Sequence, residues 1–383
     1  MSIFFNIKSM NNMSKFFKVA AFCLCIATLN TTMAQIETSI SNGQQNSLID
    51  LSSVDKFFEI SDKTSLNKDI SEDEWNDLFS TLGYSIVGFN RVRRTIHQEM
   101  LMVAFSDNQQ IKRDSILNLS TEDLQNDMIT YLARLTLINF LDIKENQKEL
   151  RLFRETYDFD AIKKLSVDRL KSFLIQPVDS LIIFPSIALI CNEWGAWFSP
   201  SGIAFDLNFF YNSTEEKRTN TLAHEMFHTY RAKFVNWNIK SSLFQVLNKI
   251  QDEGIADLIN KTDIESFMEL GTPQEFIDFF VSTYDNTPQI LSDLDVIVRS
   301  FINKEISEDR FNEKVENFEY SGHANGYYIA KLIRNVGLMD ELLQTFYSPV
   351  EFLKLYNKAA KKENIYVLSD EFIKFVENLE KEQ

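Results

Sequence analysis

The chain has 383 residues and a formal net charge of −16. A hydrophobic content of 44% excludes wholesale disorder, and ten Gly and six Pro exclude a collagen-like or Pro-rich spacer protein. The shortage of Lys and Arg argues against nucleic acid or an anionic membrane surface as the main partner, because both require clustered cations.

Residues 1–18 carry Lys8, Lys15 and Lys18 and no acid, Val19 to Leu29 is apolar, and Thr32-Met33-Ala34 precedes Gln35. Basic, apolar, then small is the order of a secretory signal peptide, here 1–34, with Met13 as an alternative start. The apolar run is too short for a permanent membrane span. The expectation is an exported chain, secreted or periplasmic. Lipid attachment at Cys23 is disfavoured by bulky Phe22 before it. Cys23 and Cys25 fall inside the signal, which leaves Cys191 and no internal disulfide.

Residues 35–50 are polar and read as a leader. From 51 to 176 the pattern is helical. Ser71 and Glu74 form a capping box ahead of Trp75, Leu78 and Phe79. Leu124, Met128, Leu132 and Leu135 make one helical stripe. Arg91, Arg93 and Arg94 read as a solvated helix face, and His97 as structural. With 33 Phe against 4 Trp, the core is expected to be Phe-rich. At Pro177 the texture changes. Leu181–Phe184 and Ile187–Cys191 are short apolar runs broken by Pro185, and Ile203 to Phe210 alternates with period two, as a half-buried strand does. Helical periodicity then returns and holds to the end. A few strands followed by helices predict an α+β, mostly helical chain whose catalytic half spans 177–383.

The sharpest feature is His224-Glu225-Met226-Phe227-His228. On a helix, residues four apart sit one above the other, so the two imidazoles can grip one Zn²⁺. Glu225 is rotated by about 100° from His224, beside such an ion and not on it, where a general base belongs. Ser213 and Glu216 read as a capping box at the start of this helix. Its flanks, Leu222, Ala223, Met226, Phe227, Thr229 and Tyr230, are uncharged, so the helix is expected to be buried. A buried pair of His with a Glu and no metal would be costly.

A zinc site needs a third protein ligand. The extended pattern, with a further His at position 234, is absent, since Phe234 stands there. The next candidate is Glu253, on a second amphipathic helix marked by Leu243, Val246, Leu247 and Ile250. Asp257, one turn on, faces the same way and suits the role of accepting the N–H of a ligating imidazole. Gly254 costs about 1 kcal/mol relative to Ala inside a helix, which a close helix–helix approach would explain.

Over residues 180–340, and most strongly over 213–260, the chain resembles the gluzincin zinc metallopeptidases. Asp252-Glu253-Gly254-Ile255-Ala256-Asp257 also resembles secreted bacterial families described as zinc-dependent peptidases. The resemblance implies a zincin-like fold around the 177–383 half. It implies His224, His228 and Glu253 as Zn²⁺ ligands and Glu225 as base. It also implies a strand beside the cleft, matched in position by Gly202–Phe210, to whose edge substrate backbone would add. Members of this class carry a Tyr or His that stabilises the oxyanion, a role open to Tyr327, Tyr328 or His323. The expected function is hydrolysis of a peptide or protein substrate. Two alternatives stand beside it: an exported binding module whose metal site is structural or degenerate, with His323 as fourth ligand, and a zinc hydrolase of non-peptide amides.

Overall fold

The computed structural model describes residues 49–120, 123, 127–175, 185–192, 195–199, 201–235, 240–261 and 274–382. The expected signal peptide, most of the polar leader, Leu124 and the run Leu181–Phe184 lie outside the described residues. Contacts divide the chain into two units, residues 1–166 with 183–229, and 167–182 with 230–383. That division does not follow the change of texture near residue 176, because the strands pack on the N-terminal helices.

The first unit holds α1 (Ser52–Ser65), α2 (Glu72–Ser80), α3 (Leu82–Val87), α4 (Arg91–Phe105), α5 (Gln110–Leu117), α6 (Met128–Glu145), α7 (Gln147–Thr156) and most of α8 (Phe159–Lys171). After these come β1 (Ile187–Ile190), β2 (Ala196–Ser199), β3 (Gly202–Asp206), α9 (Leu207–Asn212) and α10 (Glu215–Arg231), whose last two residues belong to the second unit. The Ser71–Glu74 capping box forms as the sequence predicts. Of the expected stripe, Leu124 lies outside the described residues, and Leu132 and Leu135 are only half-buried. Asp127 caps α6 by accepting from the Ile129 N–H, and the buried face is Tyr131, Leu137, Phe140 and Ile143, with Leu132 and Leu135 half-buried beside it. Phe140 sets that face by packing on Phe57, ring centroids 5.1 Å apart.

The core is Phe-rich, with Phe57, Phe105, Phe140, Phe205 and Phe210 fully buried in this unit. His97 sits among Phe57, Phe79, Tyr84, Phe89 and Phe140, and its Nε2 lies 3.0 Å from both the Cys191 carbonyl and the Tyr84 hydroxyl. Burial pushes its pKa down to about 4, so it is neutral and structural, as the sequence suggests. Arg93 and Arg94 lie over the rings of Phe89 and Phe79, so that face is solvated but also covers aromatic surface.

The sheet has the order β1-β3-β2, with β3 parallel to β1 and antiparallel to β2. Asp50 extends it beyond the expected leader, donating from its N–H to the Ile187 carbonyl (2.8 Å) and accepting from the Leu189 N–H (2.9 Å). This corrects two expectations. The alternating run Ile203–Phe210 is a strand only to Asp206, because the Asp206 carboxylate accepts from the Phe209 N–H and starts α9. All five residues of β3 are buried, and both its edges are occupied, so it has no edge for an added strand. Among the described residues, the edge of β2 away from β3 pairs with no strand.

Asp206 itself is fully buried and accepts from the Asn192 N–H, the Phe209 N–H and Asn139 Nδ2, each at 2.9 Å. Burial nevertheless raises its pKa to about 7.

The described residues of the second unit are helical: α11 (Ser242–Asn260), α12 (Gln274–Asp285), α13 (Thr287–Ile302), α14 (Glu308–Glu316), α15 (Gly322–Asn335), α16 (Met339–Gln344), α17 (Pro349–Glu363) and α18 (Asp370–Lys381). Its central pair is α11 and α15, which cross with backbone against backbone. A Cβ added to Gly254 would stand 2.7 Å from the Gly326 Cα, and one added to Gly326 would stand 2.7 Å from the Gly254 Cα. This close approach is the reason for Gly254 that the sequence suggests. The carboxylate of Asp295 in α13 ties down the chain ahead of α18 by accepting from the Tyr366 hydroxyl (2.7 Å) and the Ser369 N–H (2.9 Å).

Candidate functional site

In the first unit the candidate residues lie on α10. Its start is fixed one residue later than expected. Thr214, not Ser213, accepts from the Lys217 N–H (3.2 Å), while the Ser213 hydroxyl donates back to the Phe209 carbonyl (2.7 Å). Arg218 clamps the first turn to the end of α9, with Nη2 donating to the Tyr211 carbonyl (2.7 Å) and the guanidinium stacked over Phe153 and Tyr157. The apolar stripe Leu222, Ala223, Met226 and Phe227 is buried, as the uncharged flanks predict.

That burial carries both imidazoles out of water. His224 is 4% exposed and His228 5%, and their Nε2 atoms lie 3.0 Å apart. In this pose one ring can donate its Nε2–H to the other. Alternatively, both can present lone pairs to one ion. Tetrahedral zinc with Zn–N of about 2.0–2.1 Å holds its nitrogens about 3.3 Å apart, so the observed spacing fits the donor set of one zinc. Glu225 is half-buried on the adjacent face of the same turn. The ring of Phe198, on edge strand β2, lies 5.8 Å from that of His228 and covers it on the sheet side.

In the second unit a cluster of acids forms on α11. Glu253 and Asp257 are both buried, one turn apart, as the sequence predicts. The imidazole next to them in this unit is His323, at the start of α15. Its Nδ1 lies 3.0 Å from Asp257 Oδ2 and 3.2 Å from Glu253 Oε2. Burial alone would lower the His323 pKa, but the two carboxylates outweigh it and hold the pKa above the ordinary value. Lys249, a turn before Glu253 on the same helix, completes the cluster through an ion pair with Glu253.

The remaining candidates separate by access. Tyr327 is fully buried, its ring 5.9 Å from that of Tyr284 and under the Lys331 ammonium at 5.2 Å. Tyr328 is half-buried against Tyr284, and burial raises its pKa. His323 keeps half its side chain exposed.

Sequence reasoning passed over two residues. Lys249 stands four before Glu253, the spacing of a helical ion pair, and was findable by that rule. Arg231 is fully buried in the second unit. It donates to Asn248 Oδ1 (2.6 Å), Gln251 Oε1 (2.7 Å) and the Phe346 carbonyl (2.7 Å), with Asp252 at 3.5 Å. Nothing local marks such an arginine, because its acceptors come from distant segments.

Over residues 75–365 the sequence matches the family described as Putative zinc dependent peptidase (DUF5700). The match covers most of the chain, and the chain belongs to that family. No curated protein and no solved structure matches it.

Proposed function

We propose that the chain is an exported gluzincin-type zinc peptidase. In this reading His224, His228 and Glu253 hold the ion and Glu225 is the general base. The observation that carries it is the 3.0 Å approach of two buried Nε2 atoms on one helix, with a carboxylate on the next residue. Membership of a zinc-dependent family supports the choice of metal. Glu253 as third ligand is supported by its buried carboxylate on α11 and by the resemblance to the gluzincin pattern.

Zinc, when bound, supplies Lewis acidity to the attacking water and to the scissile carbonyl. The chain's own residues do the rest. The Glu225 carboxylate takes a proton from the water and delivers it to the leaving amine. Asp257 orients His323 through Nδ1, and His323 supplies the hydrogen bond to the developing oxyanion, a contact worth about 3–4 kcal/mol. The free edge of β2, beside His228, receives the substrate backbone in extended form. Ahead of this the basic, apolar and small segments of 1–34 direct export.

The test is Glu225→Gln in the purified chain. Zinc content by elemental analysis should stay at the wild-type stoichiometry while cleavage of a peptide library falls by about a thousandfold or more, as for loss of a general base in a hydrolase. Cleavage at the parent rate by that variant would remove Glu225 from the mechanism.

A further inference from the structure

Lys249 is placed where a metal-loading site has no obvious use for a cation. Its ammonium pairs with Glu253, whose side chain is 5% exposed, while Lys249 itself is a third exposed. Packing holds it there. Gly322, at the first turn of α15, lies against both stems, and a Cβ added to it would stand 2.9 Å from Lys249 Cγ and 3.1 Å from Glu253 Cγ. The two stems are thus pressed side by side by backbone that has no side chain to move. An ordinary helical ion pair on a solvated face is loose and contributes little. This one joins a confined stem to a buried carboxylate and is a charge-assisted bond in low dielectric. Other groups facing Glu253 in this unit include the His323 imidazole at 3.2 Å, the buried Arg231 guanidinium, which feels its charge, and, one turn on, the carboxylate of Asp257.

We propose that Lys249 is a built-in competitor for the metal: its ammonium occupies the Glu253 carboxylate until a divalent cation displaces it. The inference rests on Glu253 being a ligand, as proposed above. Loading then requires the ammonium to swing away from Glu253 by rotation beyond the packed Cγ, in a side chain that is a third exposed. The consequence is a site that holds zinc less tightly than its donor set alone would allow, and that loads only where zinc activity is high enough to break the pair. For an exported enzyme this keeps the chain unloaded, and hydrolytically inert, in a zinc-poor compartment.

The experiment is a titration of the full purified chain with Zn²⁺ against a chromophoric chelator. It compares wild type with Lys249→Met, which keeps the stem under Gly322 and removes the charge. Lys249→Gln is a second neutral variant and Lys249→Arg the charged control. The neutral variants should bind zinc at least tenfold more tightly and load faster, and Lys249→Arg should stay near wild type. Neutral variants with unchanged or weaker affinity would overturn the proposal, because the lysine would then be idle or would hold Glu253 in place for the metal. Absence of zinc binding by the wild-type chain is a different result, and it would remove the metal site itself. Circular dichroism of each variant separates misfolding from altered affinity, and the two neutral variants guard against either one failing to fold.

Discussion

Two titratable side chains in the core of the first unit lean in opposite directions. His97 has a folded pKa near 4 against an ordinary 6.5, so the unfolded chain binds its proton first. Its contribution to stability is full above pH 6.5 and is lost as pH falls from there through 4. Asp206 has a folded pKa near 7 against 3.8, so the folded chain holds the proton longer. Its contribution is full below pH 3.8 and is lost as pH rises from there through 7. Each shift corresponds to on the order of 3–4 kcal/mol, so in the parent the two slopes largely cancel between pH 4 and 6.5. Substitution unmasks them. Relative to the parent, His97→Asn should gain stability on acidification from pH 7 to 4.5, and Asp206→Asn should lose it. Urea midpoints at the two pH values measure this, and parallel pH curves for all three chains would refute the assignment. The sequence could identify His97 as structural from its distance to the motif, but not Asp206, since a carboxylate at the end of a strand looks like any solvated acid until its donors are known.

At the level of elements, the helix with the paired histidines and the helix with the paired acids were readable for a simple reason. Spacings of four put His224 over His228 and Glu253 over Asp257 whatever the rest of the chain does. The errors came where a residue serves two elements. Ser213 looks like a cap for α10 but closes α9, and Asp206 ends β3 by capping the next helix. Strand order was beyond reach, because pairing is decided by segments far apart, and so the open edge was assigned to β3, which among the described residues is paired on both sides. The α11–α15 crossing makes the strongest prediction here. Gly254→Ala sets a methyl group against the Gly326 backbone, which cannot yield as a side chain does. The expected cost is about 1–3 kcal/mol of overpacking, despite the better helix propensity of Ala. Denaturant unfolding measures it. Because Glu253 and His323 ride on the two helices forced apart, zinc affinity should fall with it. A variant as stable as the parent would show that the crossing is looser than described.

For the molecule as a whole, a ligand that binds only the native chain adds stability by mass action. Zinc at 100 times its dissociation constant should stabilise wild type by about 2.7 kcal/mol. Thermal unfolding with zinc or with chelator reads this as a shift in Tm. His224→Ala should abolish the shift, read against its own chelated Tm as baseline. A zinc-induced shift of full size in His224→Ala would place the ion elsewhere. Chain-wide composition told only that the protein is acidic and globular. The division into two units was hidden, because the texture of the sequence changes near 176 while the sheet joins the helices that precede it.

The glycine pair has one more implication. A contact between two bare backbones offers no rotamers and no slack, so it fixes register like the teeth of a key. Sliding α11 by a single residue along α15 would bring Ile255 or Glu253 to the point where only a hydrogen fits. Substitutions meant to loosen this unit should therefore spare the crossing and target the surrounding helices instead.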